Sequence, residues 1–457
     1  MNIIVWHRRD LRTIDNLALF MASKNGIVYP VFIFDPFFLE NNSTYCSSRI
    51  VFLIESIKDL AAQYKKLGSE LIIRYGNPIE KLLEMKQELN AEVYYNNDTN
   101  SLYGFERDKL AKSLGFFSFD NDAIQRPKRQ DNWKEYAKNY FESEIYTLKR
   151  IEKHNYNNAK LHDELKTLQT ILQKFSHDKV TSEKGGSKSA EERLNFFINH
   201  IKNYPKAISK PYIAERYTSR LSVHFSFGTI SLKYVYQKIN ILGYKGKDFF
   251  LSRLFWNQHF TQKLNDNPSI VNKPVNSAFE SFYDQIYDYN PDIFTAWKEG
   301  KTGYILVDAA MRALKKTGFL NFRMRALVAS FLTYVLKQPW KLGADYMFSQ
   351  LIDADFAINY YQWQMQSGMV GIHPNRIYNP VKQIKFVDPD LDFILKYVEE
   401  ARDIPLSNIF TDPEDEQYTL FTKKYIPPIV SFRERSKWAR DTYNKINKII
   451  QNQKIKS

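Results

Sequence analysis

The sequence predicts an α/β N-terminal domain built on a doubly wound parallel sheet, followed by an all-α C-terminal domain. Two observations carry this. Short apolar runs alternate with helical patterns at the start of the chain, and from Ala190 onward the apolar spacing is helical almost throughout. A third observation separates the two parts. From about Gln125 to Gly186 the pattern weakens, Lys, Asn and Glu dominate, and Gly185-Gly186-Ser187 reads as a loop. The expected organisation is an α/β domain over 1–125, a connector over 126–189, a helical domain over 190–440 and a basic tail over 441–457.

In the first part, strands are expected at 3–6, 28–34, 71–74 and 92–95, the second ending at Asp35-Pro36. The clearest intervening helix covers 48–67. Such alternation argues for a parallel sheet with helices on both faces. No G-x-G-x-x-G follows a strand and no phosphate-binding G-x-x-x-x-G-K-S/T occurs, so the usual nucleotide fingerprints are missing. A ligand at the strand ends stays open. In the second part, helices are expected over 191–201, 247–263, 304–315 and 326–336, on a helix carrying Asp353, and in the tail from Ser436.

The 457 residues suffice for two or three domains, and 44% hydrophobic with 25% charged residues is a globular balance. The net charge of +14 points to an acidic partner, nucleic acid ahead of an anionic membrane. Lysine is spread widely, so a general basic bias explains the charge equally well. Aromatics at 15% suit base or flavin stacking and also suit a plain core. Cys46 is the single cysteine, which excludes an intrachain disulfide and a thiolate-held iron–sulfur or structural zinc site. No metal site is expected. The opening apolar run is too short for a signal peptide, and no window reaches the roughly 18 apolar residues needed to cross a bilayer. The expectation is a soluble, cytoplasmic, DNA-associated monomer.

The segment 353–365 is the richest in chemistry. Asn359 and Trp363 are four apart and share a helix face, with Asp353 and Asp355 at the helix start. Acids for polar edges, an amide for a ring nitrogen and an indole to pass an electron suit a redox ring. Alone, the segment also reads as a core helix with acids in its first turn. Thr218-Ser219-Arg220-Leu221-Ser222 precedes a helical segment, so its hydroxyls and amides suit a pyrophosphate or simply cap the helix. Arg323 and Arg325 in 321–325 offer a partner for Asp353, or an ordinary surface pair. Arg253, Trp256 and Phe260 fall at helical spacing, with Trp256 either a stacking platform or a buried structural residue. His259, alone beside apolar residues, reads as structural.

Together these stretches resemble the cryptochrome/photolyase family, most closely its bacterial-type members, over nearly the whole chain. Val5-Trp6-His7-Arg8-Arg9-Asp10-Leu11-Arg12 with Asp15-Asn16 is similar to the family's opening strand and turn. Phe34-Asp35-Pro36, Arg49 to Ser56, 218–222 with Phe227-Gly228, Trp297 to Tyr304, Val307 to Arg312, Gln350 to Asp355 and Arg376-Ile377-Tyr378-Asn379-Pro380 follow in order. Residues 125–200 match poorly.

The resemblance implies FAD held by the helical domain, and a second, antenna chromophore of undetermined identity on the α/β domain. Carried over by position, Tyr204 and the loop of Thr218, Ser219, Arg220, Leu221 and Ser222 hold the FAD phosphates. Asp353 and Asp355 meet the flavin edge and the sugar–adenine part, Arg325 pairs with Asp353, and Asn359 faces flavin N5. Arg253, Asn257 and Phe322 complete the cofactor set. Trp363 and Trp340 are the first two members of an electron-carrying aromatic chain. Its third position falls near Tyr287 where a tryptophan is usual, so Tyr287 or Tyr289 is the terminal donor, or Trp297 provides another exit. Trp256 stacks on the lesion. Arg253 stands where a lesion-contacting glutamate is usual, Met365 where a second tryptophan is usual, and Asn321-Phe322 where a His-Asn pair is usual. The loop 364–375 resembles the lesion rim, and Arg220, Arg376, Lys382 and Lys385 are candidate phosphate contacts on UV-damaged DNA. The implied activity is light-driven repair of pyrimidine dimers, cyclobutane type favoured, by a carbon–carbon lyase. A blue-light photoreceptor without repair and a (6-4) photolyase are the alternatives, the latter weakened by Asn321. A flavin-free nucleic-acid binder is excluded by the set Asp353, Asp355 and Asn359.

Overall fold

The expected apolar runs form a five-stranded sheet with β1 Asn2–His7, β2 Ile27–Phe34, β3 Ile72–Tyr75, β4 Ala91–Asn96 and β5 Phe117–Phe119. The structure is a computed structural model that describes residues 1–40, 46–156, 161–175, 181, 183–244, 246–371, 376–415 and 425–456. Strand order is β3-β2-β1-β4-β5 with every pairing parallel. Alternate residues of β1 enter different cores: Ile3 and Val5 join Val28, Phe32 and Tyr94, while Ile4 and Trp6 join Tyr29, Val31, Val93 and Tyr95. Burial on both faces is why these strands read as unbroken apolar runs. The edge strand β5 was not expected; it is three residues long and Phe117 is exposed.

The chain divides into two compact units. The first holds Met1–Lys202, Ser219–Pro268 and Ile352–Ala357, and the second holds Asn203–Thr218, Ser269–Leu351 and Ile358–Ser457. In the first unit the segment after β1 is sewn to the segment around Gly228. Arg9 Nε donates to the Ser226 carbonyl at 2.9 Å, Arg12 Nη1 donates to the Gly228 carbonyl at 3.0 Å, and Leu11 N–H donates to the Phe227 carbonyl at 3.3 Å. Gly228 sits at φ 65°, and a Cβ there would lie 1.9 Å from the Arg9 carbonyl oxygen, so the close approach requires glycine. Beside it, Lys233 Nζ lies 2.9 Å from Asp15 Oδ1 with both side chains buried. Lys233 also donates to the Glu144 carbonyl at 2.8 Å and lies over the Tyr146 ring. The connector region contributes helices Trp133–Glu142 and His162–Gln173.

The second unit is helical. Buried Asp308 accepts from Thr302 N–H and Oγ1, each at 2.7 Å, from Gly303 N–H at 3.0 Å and from Tyr425 O–H at 2.6 Å. Those four donors explain the residue types of the 297–312 motif: a carboxylate holds the turn that starts helix Ile305–Thr317. The helix expected over 326–336 instead runs Phe322–Ser330 and passes into a π-helical turn, Phe331–Val335. The described part of the tail is helical from Phe432. No helix of the described residues is long and apolar enough to cross a membrane.

The expectation that Asp353 and Asp355 open a helix is corrected. Helix Phe356–Gln366 begins after them. Asn100, just past β4, donates its Nδ2 to Asp355 Oδ2 and accepts from the Ala357 N–H at 3.0 Å. A side chain from a distant loop thus caps the helix start and leaves both acids in the preceding turn.

Removing Lys233 leaves a buried carboxylate unpaired. Lys233→Ala should cost roughly 3–5 kcal/mol of unfolding free energy, read by denaturant titration; a loss below about 1 kcal/mol, the scale of an exposed pair, would contradict the buried-pair account.

Candidate functional site

In the first unit, helix Lys247–Asp266 carries Arg253, Trp256 and Asn257. Trp256 is 47% exposed although it is the largest type of side chain. One side of its indole stacks on Phe260, with centroids 5.6 Å apart and planes at 27°, and His259 meets it edge-on at 5.3 Å. The ring is therefore braced by two aromatic neighbours and still leaves about half of its surface to solvent, as a stacking platform requires. Arg253, one turn earlier, is exposed. Arg129 Nη1 lies 2.8 Å from His259 Nδ1, and an arginine can only donate, so Nδ1 is the unprotonated acceptor. Burial first, then the charges of Arg129 and Lys263, push the His259 pKa down to about 4.

The same unit holds Ser219 to Ser222 ahead of the short helix Ser222–Phe227. Arg220 adopts a left-handed backbone at φ 53° and its Nε donates to Glu183 at 2.8 Å. Asp353 and Asp355 are buried, and Asp355 lies 3.7 Å from Arg9 as well as bonding Asn100. A polar cavity of about 120 Å³ opens at the carboxyl ends of β1 and β4, lined among others by Arg8, Asp10, Asp98 and Asp355. That is the switch point at which doubly wound sheets take ligands.

In the second unit, Asn359 and Trp363 share one face of helix Phe356–Gln366 as expected, and both are buried. Asn359 Nδ2 donates to the Ala344 carbonyl at 3.0 Å. That bond fixes the amide orientation and leaves Oδ1 as an acceptor. Trp363 lies against Gly343 of helix Trp340–Gln350, where a Cβ would sit 2.4 Å from the indole. Its ring meets Trp297 edge-on at 6.1 Å, and its buried Nε1–H has no hydrogen-bond partner among the described residues. Trp340 is buried at the start of that helix. Tyr287, the expected third chain member, is only 6% exposed and packs on Tyr283 at 4.7 Å; burial raises its pKa well above the ordinary value. Tyr204 is buried, Phe322 is exposed, Met365 is half-buried, and Arg325 donates Nε to the Leu320 carbonyl at 2.8 Å. Arg376, Lys382 and Lys385 are exposed. Of the loop 364–375, residues 372–375 lie outside the described residues.

In the second unit, a buried amide acceptor and a buried indole one helical turn on are a pair suited to an isoalloxazine-type ring; the first unit by itself offers two buried carboxylates. Residues 250–445 match the family model for the FAD binding domain of DNA photolyase, and residues 3–154 match that for DNA photolyase. The chain belongs to the photolyase/cryptochrome family. Its helical part is an FAD-binding domain, and the sheet with its helical partner matches photolyase structures. It is 28% identical to a deoxyribodipyrimidine photo-lyase of Halobacterium salinarum, covering 94% of this chain and 96% of that one. It is also 28% identical to cryptochrome-2 of Arabidopsis thaliana, covering 89% and 71%. Among solved structures, an archaeal photolyase from Sulfolobus tokodaii containing two FAD molecules superposes with TM-score 0.80 at 29% identity, covering 97% of this chain and all (100%) of that one.

Sequence reasoning missed Asn100 and Arg129. Each lies more than a hundred residues from the group it serves, so no local spacing reveals it.

Held down by burial and Arg129, His259 should titrate near pH 4 in the folded protein. In the unfolded chain it protonates near 6.5, so its contribution to stability is lost as pH falls from about 6.5 towards 4. Histidine NMR should show this low midpoint, and Arg129→Ala should raise it. A midpoint near 6.5 would contradict the assigned contact.

Proposed function

We propose that this protein is a light-driven lyase that repairs cyclobutane pyrimidine dimers in DNA. The observation that carries the reading is Trp256, an aromatic ring braced by Phe260 and nearly half exposed, in a chain of net charge +14. A lesion unstacks more cheaply than an intact pair, so a flipped dimer can settle on that ring. Arg376, Lys382 and Lys385, exposed and without acidic partners among the described residues, supply phosphate contacts, and affinity falls as salt rises.

Bound FAD supplies light absorption and one-electron chemistry. The chain's own residues position and tune it. Asn359, with its Nδ2 committed to Ala344, presents Oδ1 to a ring N–H and keeps that proton in place. Asp353 and Asp355 take polar edges of the cofactor, with Arg325 and Asn257 in support, and Tyr204 with the loop from Thr218 to Ser222 takes its phosphates. Trp363 passes electrons inward, fed either through Trp340 and an outer tyrosine or through Trp297. The two FAD molecules of the Sulfolobus relative support a second, antenna chromophore in this chain. On this reading the protein acts on DNA inside the cell, and we take it to work as a monomer.

The cyclobutane lesion is favoured over the (6-4) lesion because Asn321 and His259, the positions weighed for acid catalysis among the described residues, offer no ready histidine acid. Asn321 uses its Nδ2 on the Ile208 carbonyl at 3.0 Å, and His259 accepts from Arg129 and stays neutral. A photoreceptor without repair is the second reading. Arg253 and Met365 on the lesion side, and the equal identity to cryptochrome-2, favour it.

Trp256→Ala should bind FAD normally yet lose roughly 1–3 kcal/mol of affinity for a dimer-containing duplex, the worth of one stacked base. Binding to undamaged duplex should be unchanged. Equal loss on both duplexes would contradict the flipped-base account.

A further inference from the structure

Two ring contacts of the second unit lead off the aromatic chain inferred by position. Trp363 is in edge contact with Trp297, and Trp297 is in edge contact with Tyr346 at 5.7 Å and 64°. Both spacings lie within the range of about 4.5–7 Å for aromatic rings in contact. Trp297 is fully buried, whereas Tyr346 is half-buried at the edge of helix Trp340–Gln350. The contacts thus lead from the indole assigned beside FAD to the surface in two steps.

We propose that Trp297 and Tyr346 form an exit for the oxidising equivalent left on Trp363, with Tyr346 its terminal holder. The inference rests on the flavin-dependent reading above and deepens it. Proton chemistry sets the direction. An oxidised indole becomes a trap only if it can shed its N–H proton to a base. Trp363 Nε1–H has no partner among the described residues, and Trp297 Nε1–H donates at 3.2 Å to the Val328 carbonyl, which is no base. Neither indole can settle as a neutral radical, so the hole moves on. Tyr346 is different: its phenol reaches towards the Lys298 carbonyl at 3.4 Å from a half-exposed position, and water can take its proton. Lys298 Nζ sits 5.9 Å from the Tyr346 ring centre and 5.2 Å from that of Phe294. A cation there disfavours a positive ring and favours the deprotonated, neutral phenoxyl.

The balance is complete. One electron passes from Trp363 to the photo-oxidant flavin, one from Trp297 to Trp363, and one from Tyr346 to Trp297. Tyr346 releases its phenolic proton to solvent. A small-molecule thiol then returns one electron and one proton to Tyr346, leaving the thiol oxidised. Tyr287 offers no such outlet, since its phenol is buried among Tyr283, Tyr334 and Tyr443.

The test is electron paramagnetic resonance of the FAD-loaded protein, grown with ring-deuterated tyrosine and illuminated with blue light, with FAD content read first from visible absorbance. Wild type should show a tyrosyl signal narrowed by deuteration. Tyr346→Phe, which removes only a hydroxyl, should lose that signal and slow thiol-supported photoreduction; Trp297→Phe should do the same. Tyr346→Phe with full signal and rate, or loss of the signal in Trp340→Phe alone, would overturn the exit while leaving the flavoprotein reading intact. A protein that takes up no FAD would overturn both.

Discussion

The buried ion pair between Asp15 and Lys233 is the constraint around which the first unit is organised. Two opposite charges withdrawn from water are tolerable only when held together with their remaining bonds met. The Glu144 carbonyl and the Tyr146 ring meet those of Lys233, while Ser231 Oγ donates to Asp15 Oδ2. This pins the turn after β1 to the segment that contains Gly228. The same turn presents Arg9 and Arg12 to the carbonyls of Ser226 and Gly228, at the far end of the short helix that the loop from Ser219 to Ser222 leads into. Asn100 extends the arrangement by capping the helix at Ala357 and holding Asp355. The residues assigned to the cofactor in this unit therefore depend on a polar network at the carboxyl ends of β1 and β4, not on apolar packing alone.

That dependence explains which features were legible in the sequence. Strands β1, β2 and β4 are buried on both faces, so they appear as apolar runs that need no tertiary knowledge. The Asn359–Trp363 spacing is a local helical relation and survives intact. Long-range features were not legible. The helix at Phe356 starts where Asn100 caps it, not where its acids begin, and nothing near residue 353 encodes a cap 257 positions away. The π-helical turn at Phe331–Val335 follows a normal helical pattern, and β5 is too short to show a period. His259 reads as a lone structural histidine until Arg129 is seen to fix its tautomer.

The second unit tunes by exclusion. Gly343 gives up a side chain so that the Trp363 indole can lie against its helix. Asn359 gives up one end of its amide to Ala344, and what remains is an acceptor in a fixed direction. Neither indole of the contacting pair meets a base among the described residues, as the proposed exit requires. On the proposed function, Trp256 is the main aromatic surface for a base.

The central claim is that light absorbed by the FAD-loaded protein splits a pyrimidine dimer in DNA back into its two pyrimidines. The most direct measurement gives the reduced, FAD-loaded protein an oligonucleotide with a single cyclobutane dimer or a single (6-4) lesion, under blue light and in the dark, and counts the strands returned to unmodified pyrimidines. The account predicts restored pyrimidines from the cyclobutane dimer, in the light alone, and none from the (6-4) lesion. Failure to split the cyclobutane dimer in the light, with FAD bound and reduced, would contradict it and favour a photoreceptor.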